Sequence, residues 1–165
     1  MLFEILPNWH PFFVHYTISF FSIGALIYSC VTLLSFKETY RDYLYQASIF
    51  CLRVGAIFTI LTVASGFHAY LTVPHAETAH APMVDHRNWA LVTVLIGLLL
   101  GGLSFLHKKQ TYAPKLLLLL AIPLFFMVLI TGYKGADLVF RYGVGVLPQN
   151  SEPAKADGHD HNHHH

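Results

Sequence analysis

The sequence predicts an all-α membrane protein, a four-helix transmembrane bundle running up-down-up-down, and three observations carry that reading. Of 165 residues, 55% are hydrophobic and only 12% charged, which lies outside the range of ordinary soluble domains. Four apolar stretches reach the roughly 20 residues needed to cross a hydrocarbon core at helical rise. The connections between them are short, so consecutive helices are antiparallel neighbours.

The stretches run from Pro11 to Phe36, Val54 to Val73, Trp89 to Leu106, and Leu116 to Tyr133. Their connections are KETYRDYLYQ with its following turn, the His-rich PHAETAHAPMVDHRN, and HKKQTYAPK. The opening MLFEILPNWHPFFVHY lacks the basic start and small-residue cleavage site of a secretory signal, so it reads as a retained span. In the third helix Gly97 and Gly101 form a small-xxx-small step. Gly55, Ala56, Ala64, Ser65 and Gly66 give the second a low profile. Such residues let backbones approach closely and leave room for a flat ligand. Pro123 is expected to kink the fourth helix, a break that membrane helices tolerate. Residues 1–146 form one four-helix transmembrane domain, and 147–165 a His-rich tail.

Orientation follows from charge. Lys37, Arg41, Arg53, Lys108, Lys109 and Lys115 flank the first and third connections, whereas Arg87 alone is in the second and the segment before the first helix has none. The positive-inside rule then makes the first and third connections cytoplasmic and sends both termini outward, with Lys134 and Arg141 opposing. Arg53 is expected at the inner boundary, its side chain reaching water near Glu38 or Asp42.

Several classes are poorly supported. Net charge is +1 and the basic residues fall in short loops, so nothing suggests nucleic acid as a partner. Cys30 and Cys51 lie in apolar segments and form no CxxC or Rieske-type pattern, which leaves them as small buried side chains. No Ser-His-Asp, paired-carboxylate or phosphate-loop pattern occurs, so a hydrolytic enzyme is not indicated.

The histidines are segregated instead. His10, His15, His68, His75, His80 and His86 fall in or beside the outer half of the membrane, and His107 alone at the inner face. An imidazole in hydrocarbon is costly unless paired or bound. His15 is four residues inside Pro11 and His68 five inside Val73, which predicts equal depths of roughly 6 and 7.5 Å. His10 and His86 form a shallower layer, with Asp85 expected to cap the helix before His86. Two imidazoles at one depth on different helices are what haem b needs for bis-His ligation. Arg87, Lys134 and Arg141 are placed to meet the propionates. The same histidines, His15, His68, His10 and His86, also suit Zn, Cu or Ni, and the plain alternative is hydrogen bonding between helices. His75 and His80 are read as loop residues without a ligand role.

The tail QNSEPAKADGHDHNHHH is polar and predicted disordered. It fits a metal-scavenging tail or an artificial appendage about equally, and so carries little weight.

The segment NWHPFFVHYTISFF resembles the His-Pro-x-x-Val-His opening of a bacterial membrane family known as domain of unknown function 2231. GADLVFRYGVGV is similar to that family's closing segment, with Tyr142 where a histidine is common. Single histidines between them correspond to His68 and His86, so the resemblance spans Trp9 to Val146. It implies four helices, a bacterial inner membrane and a redox role, since related domains are joined to Rieske or cytochrome c modules and the bundle looks like that of cytochrome b561-type proteins. Neither module is present here.

Taken together, the expected function is a haem-binding electron carrier, at most a redox carrier or oxidoreductase subunit. His15 and His68 are the expected axial ligands, and His10 and His86 a supporting or alternative pair. The expected partners are the lipid bilayer, quinol or a periplasmic electron-transfer protein, and further copies or subunits of a complex. The alternatives are a metal-handling membrane protein and a purely structural subunit of a larger complex.

Overall fold

A computed structural model describes residues 8–106 and 114–146. It contains α1 (His10–Leu33), α2 (Glu38–Thr72), α3 (Glu77–Leu106) and α4 (Leu118–Tyr142), the last preceded by a single 3-10 turn at Lys115–Leu117. All four helices are long and apolar enough to cross a membrane, and no strand occurs among the described residues. Each helix packs against two neighbours: α1 and α3 both touch α2 and α4, so α1 lies diagonally across from α3.

The spans are longer than the apolar stretches alone. α2 starts at Glu38, so all of KETYRDYLYQ after Lys37 forms about its first two and a half turns rather than a connection, and the true link is only 34–37. An acidic residue in the first turn suits the positive end of the helix dipole. α3 likewise starts at Glu77 and takes in most of PHAETAHAPMVDHRN, which puts His80 in a helix. Asp85 sits well inside α3, where it pairs with Lys134 instead of capping. Both extensions are polar, so hydropathy could not reveal them, but each continues a helix already formed and needs no new nucleus.

The ends are satisfied locally. The side chain of Asn8 accepts the His10 N–H at 3.0 Å, and Pro11 occupies the first turn, where a missing N–H costs nothing. α4 ends at Gly143, φ 63°, with the Val144 N–H reaching back to the Leu138 carbonyl at 3.0 Å, a left-handed cap that glycine adopts without strain. α4 runs through Pro123 as one helix. Arg53 donates to the Ser104 carbonyl at 2.5 Å and lies over the Phe105 ring, so it secures the end of α3 rather than meeting Glu38 or Asp42.

The core sits away from the histidines. Phe21, Tyr28, Leu52, Leu100 and Leu124 are fully enclosed, in one cluster with Tyr45, Ile49, Ala56, Leu117 and Val128. Phe21 is its upper limit. A Cβ at Gly55 would stand 2.6 Å from its Cδ1, and one at Gly97 would collide with its other edge. The low profile of α2 and α3 at these positions thus accommodates this chain's own ring. Outside, Ile23, Leu95, Leu119 and Phe126 are at least half exposed, the inverse of a soluble bundle and the surface a lipid bilayer covers.

Candidate functional site

The two ends of the bundle differ. At the histidine end, His10 of α1 lies against α2: its Nδ1 is 3.2 Å from the Thr62 carbonyl and 3.4 Å from Ser65 Oγ. A Cβ at Gly66 would come within 2.8 Å of its Cε1, so the ring occupies space that only glycine leaves open. About two turns further along α1 at 3.6 residues per turn, Thr17 and Thr62 join their hydroxyls at 2.8 Å.

His86 of α3 lies against α4 in the same manner. A Cβ at Gly135 would be 3.2 Å from its Cε1. Its Nδ1 is buried without a hydrogen-bond partner among the described residues. The hydroxyls of Thr93 and Thr131 meet at 2.8 Å, and Thr93 also bonds the Trp89 carbonyl. Although α1 and α3 are diagonal, His10 and His86 both lie at the same end of the bundle, each near the start of its helix. The bundle brings these two to matching positions.

It does not bring together His15 and His68. His10 stands opposite Thr62 to Gly66, so His68 lies beyond the start of α1, while His15 is five residues further down α1, or roughly 7.5 Å at helical rise. The equal depth expected from the apolar boundaries is absent because the helix ends on the histidine side are not level: α2 ends at Thr72, at its apolar boundary, whereas α1 starts opposite Thr62 to Gly66. His15 is turned about 140° around α1 from His10 at 100° per residue. It is exposed, and its Nδ1 folds back to the Pro11 carbonyl of its own helix at 2.5 Å. His68 is exposed too. His75 and His80 stack on each other, ring centroids 5.8 Å apart, at the α2–α3 link. His107 and the His-rich tail lie outside the described residues.

Packing at this level is unlike that below. None of the residues 10–16, 60–68, 84–92 and 129–137, which face one another across the four helices here, is buried. Beneath them is the core that ends at Phe21, and above them Val73, Ala79, Met83 and Leu138 are buried again. At this level His10 and His86 turn their rings against Gly66 and Gly135 of the neighbouring helices, and the threonine pairs Thr17–Thr62 and Thr93–Thr131 lie beside them.

Charged side chains rim this level. Lys134 pairs with Asp85 and lies over the Trp89 ring. Arg87 bonds the Tyr70 hydroxyl at 3.2 Å and covers its ring. Arg141 pairs with Asp137 one turn away in α4, at 3.0 Å. Among the described residues no group of three or more His, Cys, Asp and Glu is arranged to hold a metal ion. Sequence reasoning missed Thr17, Thr62, Thr93, Thr131 and Gly135, whose spacing from the histidines was the available signal.

A family model described as "Predicted membrane protein (DUF2231)" matches residues 7–148 of the chain. No curated protein and no solved structure matches it.

Proposed function

This chain belongs to the predicted membrane protein family DUF2231, and for it we propose a redox role: binding of a b-type haem between His10 and His86 and transfer of electrons through it. The observation that supports the reading is the matched placement of these two histidines on the diagonal helices α1 and α3, each ring turned against a glycine of the neighbouring helix. The donor set fits the group. A haem brings four nitrogens of its own and asks the protein for two axial ligands, and two inward imidazoles are what the layer offers; a zinc site needs three or four protein ligands.

The chain's residues act as holders and screens in this reading. His10 Nδ1 against the Thr62 carbonyl fixes the tautomer that leaves Nε2 free as a ligand, as a second-shell carbonyl does in metal sites. The unpartnered Nδ1 of His86 is a polar atom whose burial costs free energy until something compensates it. Phe21 closes the layer from below, and Arg87 and Lys134 offer positive charge to the acidic edge of the group. When bound, haem supplies a one-electron couple, and the helices keep it in a low-dielectric environment.

The excess of Lys and Arg at the opposite end supports an orientation with the histidine end on the outer side of a bacterial inner membrane. A periplasmic electron-transfer protein is the partner this orientation favours, with quinol as donor. The test is the absorption spectrum of protein purified after expression with ample haem. A Soret band with low-spin features is expected in the parent, absent or five-coordinate in His10→Ala and His86→Ala, and retained in His15→Ala and His68→Ala. A colourless parent overturns the reading, and loss of the band only in His15→Ala or His68→Ala moves the site to those residues.

A further inference from the structure

The two histidines stand in the same frame. Thr17 follows His10 by seven residues on α1, and Thr93 follows His86 by seven on α3. On the partner helices Gly66 follows Thr62 by four residues, and Gly135 follows Thr131 by four. The contacts repeat with the spacing. In each hairpin the two threonine hydroxyls meet at 2.8 Å and the glycine one turn on receives the histidine ring; in the first, the Thr62 carbonyl also accepts from that ring.

A further pair obeys the same rule. Phe21 and Gly97 lie eleven residues after His10 and His86 respectively, and they touch each other. Equivalent positions on two diagonal helices come face to face only if a two-fold axis runs between them along the bundle. Phe21 and Gly97 do so, and His10 and His86 occupy matching positions about 16 Å above them at helical rise. At the lower level the pair is unequal in size because two rings cannot share the axis.

We infer that α1–α2 and α3–α4 are two copies of one helical hairpin, parallel repeats related by an axis along the membrane normal, and that the hydroxyl pairs Thr17–Thr62 and Thr93–Thr131 are positioning residues for His10 and His86. Each pair pins the register of its hairpin below the histidine, and the ring then meets the glycine of the facing helix. The bound group lies on the axis, one per chain, and takes one imidazole from each copy. The copies have diverged at one point. Ser65 of the first corresponds to Lys134 of the second, which is drawn to Asp85, so His86 lacks the hydroxyl that His10 has. The assignment of one group per chain rests on the haem reading above; the duplication and the positioning role do not.

The experiment uses Thr17→Val, Thr62→Val, Thr93→Val and Thr131→Val, which keep the β-branched shape and remove the hydroxyl. In haem-free full-length protein, ring 15N resonances of the histidines are read by NMR. Thr17→Val and Thr62→Val are expected to move His10 and leave His86 in place, and Thr93→Val and Thr131→Val the reverse, with His15 unchanged throughout. Equal shifts at all histidines, or none, overturn the positioning role. In loaded protein the same variants should alter the low-spin electron paramagnetic resonance signal, from either hairpin alike, with one haem per chain. A lowered melting temperature with unchanged resonances and signal marks the threonines as structural and overturns the inference. A protein that takes no haem yet gives the expected NMR pattern retains the duplicated frame and loses the haem reading.

Discussion

Phe21 rests edge-on against Gly97 of the diagonal helix, with Gly55 against its opposite edge, and a β-carbon at either glycine would overlap the ring. Phe21 is 0% exposed, so it has nowhere to retreat. Gly97→Ala gains up to about 1 kcal/mol of helix propensity and sets against it about 1–3 kcal/mol of overpacking. A net loss is therefore expected, read as a lower melting temperature of purified protein by circular dichroism. Phe21→Leu in the same chain should recover part of the loss. A raised melting temperature for Gly97→Ala would mean the ring is free to move and does not close the core.

Arg53 is a second place where stability is concentrated. Its guanidinium donates to the Ser104 carbonyl near the end of α3 and stacks over Phe105. Removing one partner leaves a carbonyl unsatisfied at a cost of about 1–3 kcal/mol. Arg53→Ala should lower stability by that order, and Arg53→Lys should restore little, because an ammonium does not reproduce the planar stack. Full recovery with lysine in a thermal melt would reduce the interaction to simple charge.

The four helices were legible because membrane spans announce themselves by length and hydropathy, and α1, α3 and α4 end within a few residues of their apolar stretches or run on from them. What hydropathy could not show was the polar first third of α2 and the start of α3 at Glu77, where helix persists beyond lipid. The depth comparison failed for a different reason. His68 was measured from Val73 as if the ends of α1 and α2 on that side were level, whereas the contact of His10 with Thr62 and Gly66 sets the start of α1 below the end of α2. The histidines were visible as a set. Which of them face inward depends on rotation about each helix, and the seven-residue step from His10 to Thr17, matched from His86 to Thr93, held that information without any apolar pattern to mark it.

The His-rich tail should be dispensable for the embedded centre. Its histidines follow a polar segment with no apolar anchor, and the proposed ligands His10 and His86 both lie within the helices. Ending the chain after Asn150 is expected to leave the Soret band and the haem-to-protein ratio unchanged. Loss of the chromophore on truncation would instead tie the bound group to the tail and favour metal handling.

Topology is the remaining prediction, and it rests on how cations divide between the two ends. Lys37, Arg41, Arg53 and Lys115 lie at the end opposite the histidines, joined in sequence by Lys108 and Lys109. The histidine end has Arg87, Lys134 and Arg141, of which Lys134 and Arg141 are each held in an ion pair. Because Lys and Arg in short loops set orientation while acidic residues contribute little, the opposite end should stay in the cytoplasm. A phosphatase fused after Val146 is expected to be active, as that enzyme is only in the periplasm, and one inserted after Ser35 in the α1–α2 link inactive. The reverse pattern would turn the histidine layer toward the cytoplasm, where its electron partner would then have to be sought. Exchanging Lys108, Lys109 and Lys115 for Gln should weaken the bias and give a mixed population, which separates a charge-determined orientation from one imposed by the first helix alone.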